Sequence, residues 1–160
     1  MVVVGGGQSG LAAARALRAA RIPSVILEAS SRPTGSWPGY YDSLRLFSPA
    51  AFSSLTGMPF PADPGRYPAR DEVADYLRRY AGNRGAKIEP DTRAQTIRQE
   101  GSRFVVHTAD RRALRESGIV AASGSFSNPD RPHSQAKRTS AASSCTSPST
   151  ATRRHTSAGG

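Results

Sequence analysis

The sequence contains a single cysteine, Cys145, and this scarcity excludes two classes of protein. One thiol cannot form an intramolecular disulfide, and no group of cysteine and histidine has the spacing of a metal site, so neither a disulfide scaffold nor a bound metal is predicted. Apolar runs fall far short of the roughly 20 residues that cross a bilayer. Met1 leads directly into three valines without a basic region, so no secretory signal is predicted and a cytoplasmic location is expected.

Large apolar side chains are missing from the C-terminal segment. Residues 133–160 contain no Val, Ile, Leu, Met, Phe, Trp or Tyr, whereas Ser and Thr fill 12 of the 28 positions. Such a segment cannot bury enough apolar surface to offset the entropy lost on ordering, about 1–2 kcal/mol per residue for the backbone. We therefore predict a folded domain over residues 1–132 and a disordered, basic tail over residues 133–160.

Acidic residues are absent after Asp130, so the net charge of +10 divides equally between residues 1–130 and the remainder. Excess positive charge attracts polyanions without specifying one. Basic residues in the body are interspersed with acids, however, and those in the tail have no aromatic residues among them. Specific nucleic-acid binding is therefore not predicted. Membrane binding is not expected either, and the expected partner is a small molecule.

A glycine-rich segment, Gly5-Gly6-Gly7-Gln8-Ser9-Gly10, fits the pattern G-x-G-x-x-G. In this pattern the first glycine permits a tight turn, the second lets backbone approach a pyrophosphate, and the third lets a helix pack closely on a strand. The phosphates lie at the N-terminus of that helix, where free N–H groups and the helix dipole favour negative charge. Ser9 can add a hydroxyl donor.

The surroundings of this segment strengthen the interpretation. Residues 1–4 form an apolar run typical of a buried strand, 8–20 have the pattern of a helix, and 24–27 form a second apolar run, which together predict a βαβ unit. Glu28 follows Gly10 by 18 residues and can accept hydrogen bonds from the ribose hydroxyls of an adenosine. Its charge would repel a 2′-phosphate, which argues against NADP at this site. A dinucleotide is predicted, with FAD and NAD both compatible.

Further elements follow along the body. Residues 30–69 predict loops and short turns, because they hold most of the prolines and show no periodicity. Four more elements are predicted: a helix over 70–81 ended by Gly82, strands over 93–99 and 103–108 joined by a hairpin turn at 100–102, and a strand over 119–122. The predicted fold is a three-layer α/β Rossmann-like FAD/NAD(P)-binding domain with a β-hairpin or meander insertion.

The segment 28–37 contains Glu28, Ala29, Gly35 and Trp37 at the spacing E-A-x-x-x-x-G-G-x-W, and it resembles the flavin-containing monooxygenase family. That family includes N-hydroxylating, S-oxidising and Baeyer–Villiger-type enzymes. The resemblance covers about residues 1–132 and continues through 42–49, 58–61, 67–73 and 121–129. Two positions depart from it: Thr34 replaces the first glycine of the pair, and Ser123 replaces a threonine.

The resemblance implies FAD as the cofactor and assigns its contacts residue by residue. The pyrophosphate would be held by Gly5, Gly7, Gln8, Ser9 and Gly10, the adenosine ribose by Glu28 with Ala29 beside it, and the adenine by the backbone of Ala94. The flavin side would be lined by Ser36 and Trp37 and approached by Arg45 and Leu46, and Ser123-Gly124 would form a turn of the same site. No catalytic residue is assigned.

Enzymes of the resembling family also use NADPH, which reduces the flavin, at a second G-x-G-x-x-G. This sequence contains no such motif, nor the fingerprint Phe-x-Gly-x₃-His-x₃-Tyr expected shortly after Pro129. If the codons beyond His133 are regrouped by one base, the tail is compatible with that fingerprint at the correct spacing. We therefore predict that residues after about Pro132 are out-of-frame translation and that the chain is a truncated, catalytically incompetent FAD-binding portion.

Two alternatives remain at this point. A non-catalytic nucleotide-binding fragment with a polyanion-attracting tail is compatible with the charge distribution. An NAD-linked dehydrogenase is disfavoured, because nothing like a substrate domain follows the βαβ unit. The substrate, the type of oxygenation and the oligomeric state are left open, and flavin bound to the purified protein would separate the first interpretation from the others.

Overall fold

A central parallel sheet organises the computed structural model, which describes residues 1–83 and 86–124. The strand order of this sheet is β3-β2-β1-β7, and a separate antiparallel sheet has the order β4-β5-β6. The elements are β1 (Val2–Val4), α1 (Gln8–Ala19), β2 (Val25–Leu27), α2 (Arg70–Gly82), β3 (Lys87–Glu89), β4 (Ala94–Glu100), β5 (Arg103–Thr108), β6 (Ala113–Glu116) and β7 (Ile119–Ala121).

Strands β1 and β2 of the parallel sheet are covered on both faces. β1 pairs in parallel with both β2 and β7 and lies in the interior of the sheet. Val3 and Ile26, adjacent in register, belong to the core on the helical side, whereas Val2 and Leu27 belong to the core on the opposite side. An apolar run without alternation is what a strand covered on both faces requires, and this explains the three consecutive valines.

Helices α1 and α2 cover one face of the sheet. α1 buries Leu11 and Ala14, and α2 buries Val73, Leu77 and Tyr80 among others. The helix predicted over 70–81 is confirmed. Because the strands connecting through α1 run parallel, the opening βαβ unit is present as expected.

Residues 28–69, which connect β2 to α2, form an excursion from the sheet. This excursion contains two short 3₁₀ turns, Trp37–Gly39 and Ala50–Phe52, and is otherwise irregular, as predicted. Tyr76 of α2 anchors it. The buried phenol donates a hydrogen bond to the Met58 carbonyl at 2.6 Å and accepts one from the Leu55 N–H at 2.6 Å. One side chain therefore satisfies two backbone groups of a segment that has few ladder bonds of its own.

The antiparallel meander β4-β5-β6 covers the other face of the parallel sheet, which completes the three predicted layers. Val106 of β5 is fully buried against Val2 and Leu27. The predicted hairpin between the first two strands is present, but its turn is tighter than expected, because Glu100 pairs with Arg103 and the turn is made by 101–102. Gly101 adopts a left-handed φ of 61° there.

Two strands were not predicted from the sequence. β3 contains one large apolar residue, Ile88, in three, and β6 has the composition Ala-Leu-Arg-Glu, which favours helix. Both form because a neighbouring strand offers a ladder, and such tertiary pairing overrides weak local preference. α2 also extends through Gly82 rather than ending before it, because the N–H of Asn83 still bonds to the Arg79 carbonyl at 3.0 Å.

The predictions for the tail, namely its disorder, the domain boundary near 132 and the shift of reading frame, lie outside the described residues. Among the described residues, no helix has the length and apolarity needed to cross a bilayer.

Candidate functional site

The glycine turn between β1 and α1 is packed so closely that a side chain at two of its positions would overlap backbone atoms. Gly5 has φ of 104°, and its N–H donates to the Leu27 carbonyl at 2.9 Å. A Cβ on Gly5 would overlap the Ala122 carbonyl oxygen, and a Cβ on Gly10 would overlap the Gly5 carbonyl oxygen. The turn thus ties β1, β2 and the end of β7 to the first turn of α1.

Helix α1 begins directly after this turn, at Gln8. Gly7 caps the helix with extended backbone, and its carbonyl accepts the first intrahelical bond from the Leu11 N–H at 2.9 Å. Gln8 and Ser9 are exposed, and the first turn contains no acidic residue. The N–H groups of this turn have no partner within the helix, so together with the helix dipole they favour an anion at this end.

Glu28 lies at the end of β2, with its carboxylate against the glycine turn. The residue is buried, with only 6% of its surface exposed. Oε2 accepts a hydrogen bond from the Gly6 N–H at 2.5 Å. Oε1 accepts two from Ser30, one from the N–H at 2.8 Å and one from the hydroxyl at 2.7 Å. A buried carboxylate is thereby kept in place by three donors, which compensates for the loss of its hydration.

The backbone of Glu28 is fixed by two elements that follow much later in the chain. Its N–H donates to the Glu89 carbonyl at 2.9 Å, and its carbonyl accepts from the Thr92 N–H at 2.8 Å. Arg112 links the two residues that bond to the Glu28 backbone. Its guanidinium bonds to the Glu89 carboxylate at 2.9 Å and to the Thr92 hydroxyl at 3.2 Å. It also bonds to Asp110, and the Thr108 hydroxyl together with this guanidinium lowers the pKa of the Asp110 carboxyl.

The segment that contains Gly35 packs against the glycine turn at Gly7. Gly35 has φ of 59°, and a Cβ added to it would lie 3.0 Å from the Gly7 Cα. Thr34 is buried and does not have positive φ, and its N–H donates to the Arg32 carbonyl at 2.9 Å. The threonine is therefore tolerated where the resembling family has glycine, because the left-handed residue of the pair is the second one.

The turn after β7 completes the group around Gly5. The Ala122 N–H donates to the Val4 carbonyl at 2.8 Å, and the Ser123 Cα lies 3.3 Å from the position that a Cβ on Gly5 would take. Gly124 has φ of 76°. The structure thus brings the predicted residues Ser123 and Gly124 to the same edge of the sheet as the glycine motif.

The residues predicted for the flavin side lie farther along the excursion. Trp37 is half-buried against the helical-side core, with its ring edge-on to Tyr40 at a centroid distance of 5.5 Å, and Ser36 is exposed beside it. Arg45 donates to the Tyr67 carbonyl at 3.3 Å. The Leu46 N–H donates to the Pro68 carbonyl at 2.8 Å. These hydrogen bonds join the excursion to itself and not to the glycine turn, so the flavin contacts stay predictions.

Two further predicted residues flank Glu28. Ala29 is exposed directly after it. Ala94 opens β4 opposite Thr108 and packs on the meander-side core, two residues beyond the Thr92 that holds the Glu28 carbonyl. Both positions therefore lie near Glu28, and their contacts with an adenosine stay predictions.

Sequence reasoning missed Gly6 and Ser30. Gly6 occupies a variable position of the motif, yet a Cβ there would lie 2.8 Å from the Glu28 Oε2. The run of three consecutive glycines was the available signal, whereas nothing in the sequence indicated the Ser30 contacts. In the described part of the chain, no group of three metal-ligating side chains occurs.

A separate cleft lies away from the glycine turn. It has a volume of about 510 Å³ and lies between α1 and the end of α2, with walls that include Arg15, Arg18, Ile22, Tyr80 and Lys87. None of the predicted site residues lines it, so its size carries no argument for the glycine turn. The candidate site rests on the donors and the carboxylate of the turn instead.

Comparison with known proteins gives three consistent findings. The model of the pyridine nucleotide-disulphide oxidoreductase family matches residues 2–155. A CzcO-like oxidoreductase of Geobacillus kaustophilus is 37% identical over 129 residues, which are 81% of this chain and 37% of that protein. An indole-3-pyruvate monooxygenase of Oryza sativa subsp. japonica is 40% identical over 85 residues, which are 52% of this chain and 21% of that protein.

Among solved structures, a flavin-containing monooxygenase from Stenotrophomonas maltophilia superposes with a TM-score of 0.78 and 39% identity. The match covers 82% of this chain and 40% of that one. The chain therefore spans less than half the length of the relatives it matches.

Proposed function

This chain belongs to the pyridine nucleotide-disulphide oxidoreductase family, and we propose that it forms the FAD-binding portion of an NAD(P)H-dependent flavin monooxygenase or oxidoreductase. The observation that carries the proposal is the buried Glu28 carboxylate bonded to the Gly6 N–H, directly beside the open N-terminus of α1. An acceptor for sugar hydroxyls and a donor set for phosphates thus occur side by side, which is the arrangement an adenosine diphosphate requires.

The residues present fit the ADP half of FAD. The helix end offers backbone N–H groups of Gln8 and Ser9 without a competing acid. Gly7 and Gly35 meet backbone to backbone, so no side chain of either covers the turn. The negative charge of Glu28 favours an unmodified ribose over one with a 2′-phosphate. The adenosine of FAD has an unmodified ribose, whereas that of NADPH carries a 2′-phosphate.

FAD is favoured over NAD by the relatives, which include flavin monooxygenases, and by the continuation of the resemblance through Trp37. When bound, the flavin supplies the redox chemistry, accepting hydride from a reduced nicotinamide and passing electrons to O₂. The chain's own residues bind and orient it. Gly7, Gln8 and Ser9 would hold the pyrophosphate, and Glu28 would hold the ribose.

The remaining contacts are proposed from the resemblance. Ser36 and Trp37 would shield the flavin from water on the side of the excursion, and Ser123-Gly124 would close the edge beside Gly5. The oxygenation of a small molecule with NADPH, and a cytoplasmic location, are proposals for the whole protein. No residue of the described chain is assigned a proton-transfer role.

Flavin binding by the purified 160-residue chain tests the proposal. The protein is titrated into FAD, and quenching of flavin fluorescence is followed together with the visible absorption of the protein after removal of free ligand. We expect binding by the unaltered chain and a loss of affinity of about tenfold or more for Glu28→Gln, because the substitution removes a charged hydrogen-bond acceptor. Glu100→Gln, in an exposed ion pair with Arg115 on the meander, is the matched control and leaves affinity unchanged.

Two results would contradict the proposal. A colourless chain that neither quenches FAD nor binds ADP would remove the dinucleotide site altogether. A colourless chain with tight, salt-sensitive binding to nucleic acid would favour the alternative of a polyanion-binding fragment.

A further inference from the structure

The three hydrogen bonds to Glu28 leave too few acceptor positions for a ribose. An ionised carboxylate has about four lone-pair positions, two on each oxygen. The Gly6 N–H takes one on Oε2, and the Ser30 N–H and hydroxyl take both on Oε1. One position remains, whereas the 2′- and 3′-hydroxyls of a ribose need one each when they bind the two oxygens together.

Only one of the three donors is free to leave. The N–H groups of Gly6 and Ser30 belong to the backbone of the glycine turn and of the segment after β2, and they cannot rotate away. The Ser30 hydroxyl can, and it already has a second acceptor, because the Arg32 carbonyl oxygen lies 2.7 Å from it. A hydroxyl carries one proton, so at any moment it donates either to Glu28 or to Arg32.

We propose that the Ser30 hydroxyl is a displaceable occupant of the ribose subsite. Without nucleotide it donates to Glu28 Oε1 and helps to satisfy a buried carboxylate. When a nucleoside diol binds, one ribose hydroxyl takes over that position on Oε1, and the serine proton turns to the Arg32 carbonyl. The inference rests on the proposed adenosine site and specifies how that site is kept while it is empty.

The exchange leaves no polar group without a partner. Oε1 keeps two donors in both states, one from the Ser30 N–H and one from either the serine or the ribose. The serine hydroxyl also keeps an acceptor in both states. The cost is a weaker net gain from the ribose hydroxyl, because it replaces an existing hydrogen bond instead of adding one.

This reasoning predicts that removal of the hydroxyl strengthens binding. Ser30→Ala retains the backbone N–H and frees the second position on Oε1, so we expect the variant to bind ADP about two- to fivefold more tightly than the unaltered chain. The preference for ADP over its 2′-deoxy or 3′-deoxy analogue, whichever lacks the hydroxyl that meets Oε1, should increase by the same factor. Affinities are measured by calorimetric titration of the 160-residue chain with ADP and the two analogues.

A permanent anchoring role for the serine predicts the opposite sign. If Ser30 positions Glu28 in the bound state as well, Ser30→Ala weakens ADP binding and reduces the preference for the diol, and the inference is overturned. Equal affinities for the variant and the unaltered chain also overturn it. Ser31→Ala, one residue farther along, is the matched control and should change neither quantity.

Thermal unfolding adds a second readout that separates folding from binding. The variant should unfold at a lower temperature than the unaltered chain in the absence of ligand, and this difference should shrink in saturating ADP. If the unaltered chain binds neither ADP nor FAD, the proposed function itself fails, and the inference fails with it. If the unaltered chain binds ADP and Ser30→Ala binds it more weakly, the inference alone fails.

Discussion

Gly6→Ala is the substitution that best separates the structural account of the site from a reading of the motif alone. Gly6 stands at a variable position of G-x-G-x-x-G, so the motif by itself predicts that alanine is tolerated. The φ of Gly6 is not positive, so alanine would cause no backbone strain at this position either. The structure predicts instead that alanine is not tolerated, because an added Cβ would lie 2.8 Å from the Glu28 Oε2 and 3.2 Å from the Glu28 Cβ.

The size of the effect follows from what must move. A Cβ contact under 3.0 Å cannot persist, so the Glu28 carboxylate or the turn must shift, and either shift weakens or breaks the 2.5 Å bond from the Gly6 N–H. A hydrogen bond to a charged group contributes about 1.5–3 kcal/mol. We expect the free energy of unfolding to fall by about that amount. Where the carboxylate leaves the ribose position, ADP affinity should fall about 10- to 100-fold.

The assay is ADP titration of the 160-residue chain combined with chemical denaturation followed by circular dichroism. Gly39→Ala is the matched control, because no atom lies within 4 Å of an added Cβ and its φ is not positive. That variant should retain full affinity. Undiminished ADP binding by Gly6→Ala would refute the claim that the Gly6–Glu28 contact forms the ribose site.

Two further predictions concern stability. Tyr76→Phe should lower the free energy of unfolding by about 2–3 kcal/mol in denaturation experiments, because it leaves the Leu55 N–H and the Met58 carbonyl without their partner; an effect below about 0.5 kcal/mol would contradict this. The Arg66 guanidinium and a backbone N–H lower the pKa of Glu72 to about 2, so its stabilisation is present above pH about 4.5 and is lost as pH falls toward about 2. The side chain is 39% exposed, so we expect about 1 kcal/mol, absent in Glu72→Gln at all pH values.

The parts of the fold that the sequence predicts are those set by local chemistry. The apolar valines of β1, the glycine motif and the spacing to Glu28 depend on residues within one βαβ unit, and their pattern is visible without knowledge of the tertiary structure. The apolar face of α2 is visible for the same reason. Strands β3 and β6 cannot be predicted, because these three- and four-residue segments have no apolar pattern and become strands only beside a partner that lies elsewhere in the sequence.

The candidate site divides along the same line. Residue types that bind phosphate and ribose can be read from the motif, but the contacts that hold the backbone of Glu28 come from Glu89 and Thr92, far along the chain. The Glu28 N–H bonds to the carbonyl of Glu89, which lies in the unpredicted strand β3. Arg112, just before the unpredicted strand β6, bonds to the carboxylate of Glu89. The elements that local pattern could not reveal are therefore the ones that fix the acid on which the motif depends.

The position of Glu28 depends on several elements of the fold at once. A carboxylate held only by its own strand would follow every fluctuation of a three-residue β2, whereas Glu28 is joined to β3, to the segment before β4 and to the glycine turn at once. The two backbone bonds hold the main chain of Glu28, whereas the bonds from Gly6 and Ser30 hold its carboxylate, so loss of the Gly6 bond loosens the carboxylate while the main chain stays in place. The meander thus serves as the outer layer of the fold and also positions the proposed ribose acceptor, and disruption at Arg112 should reach the nucleotide site through Glu89 and Thr92.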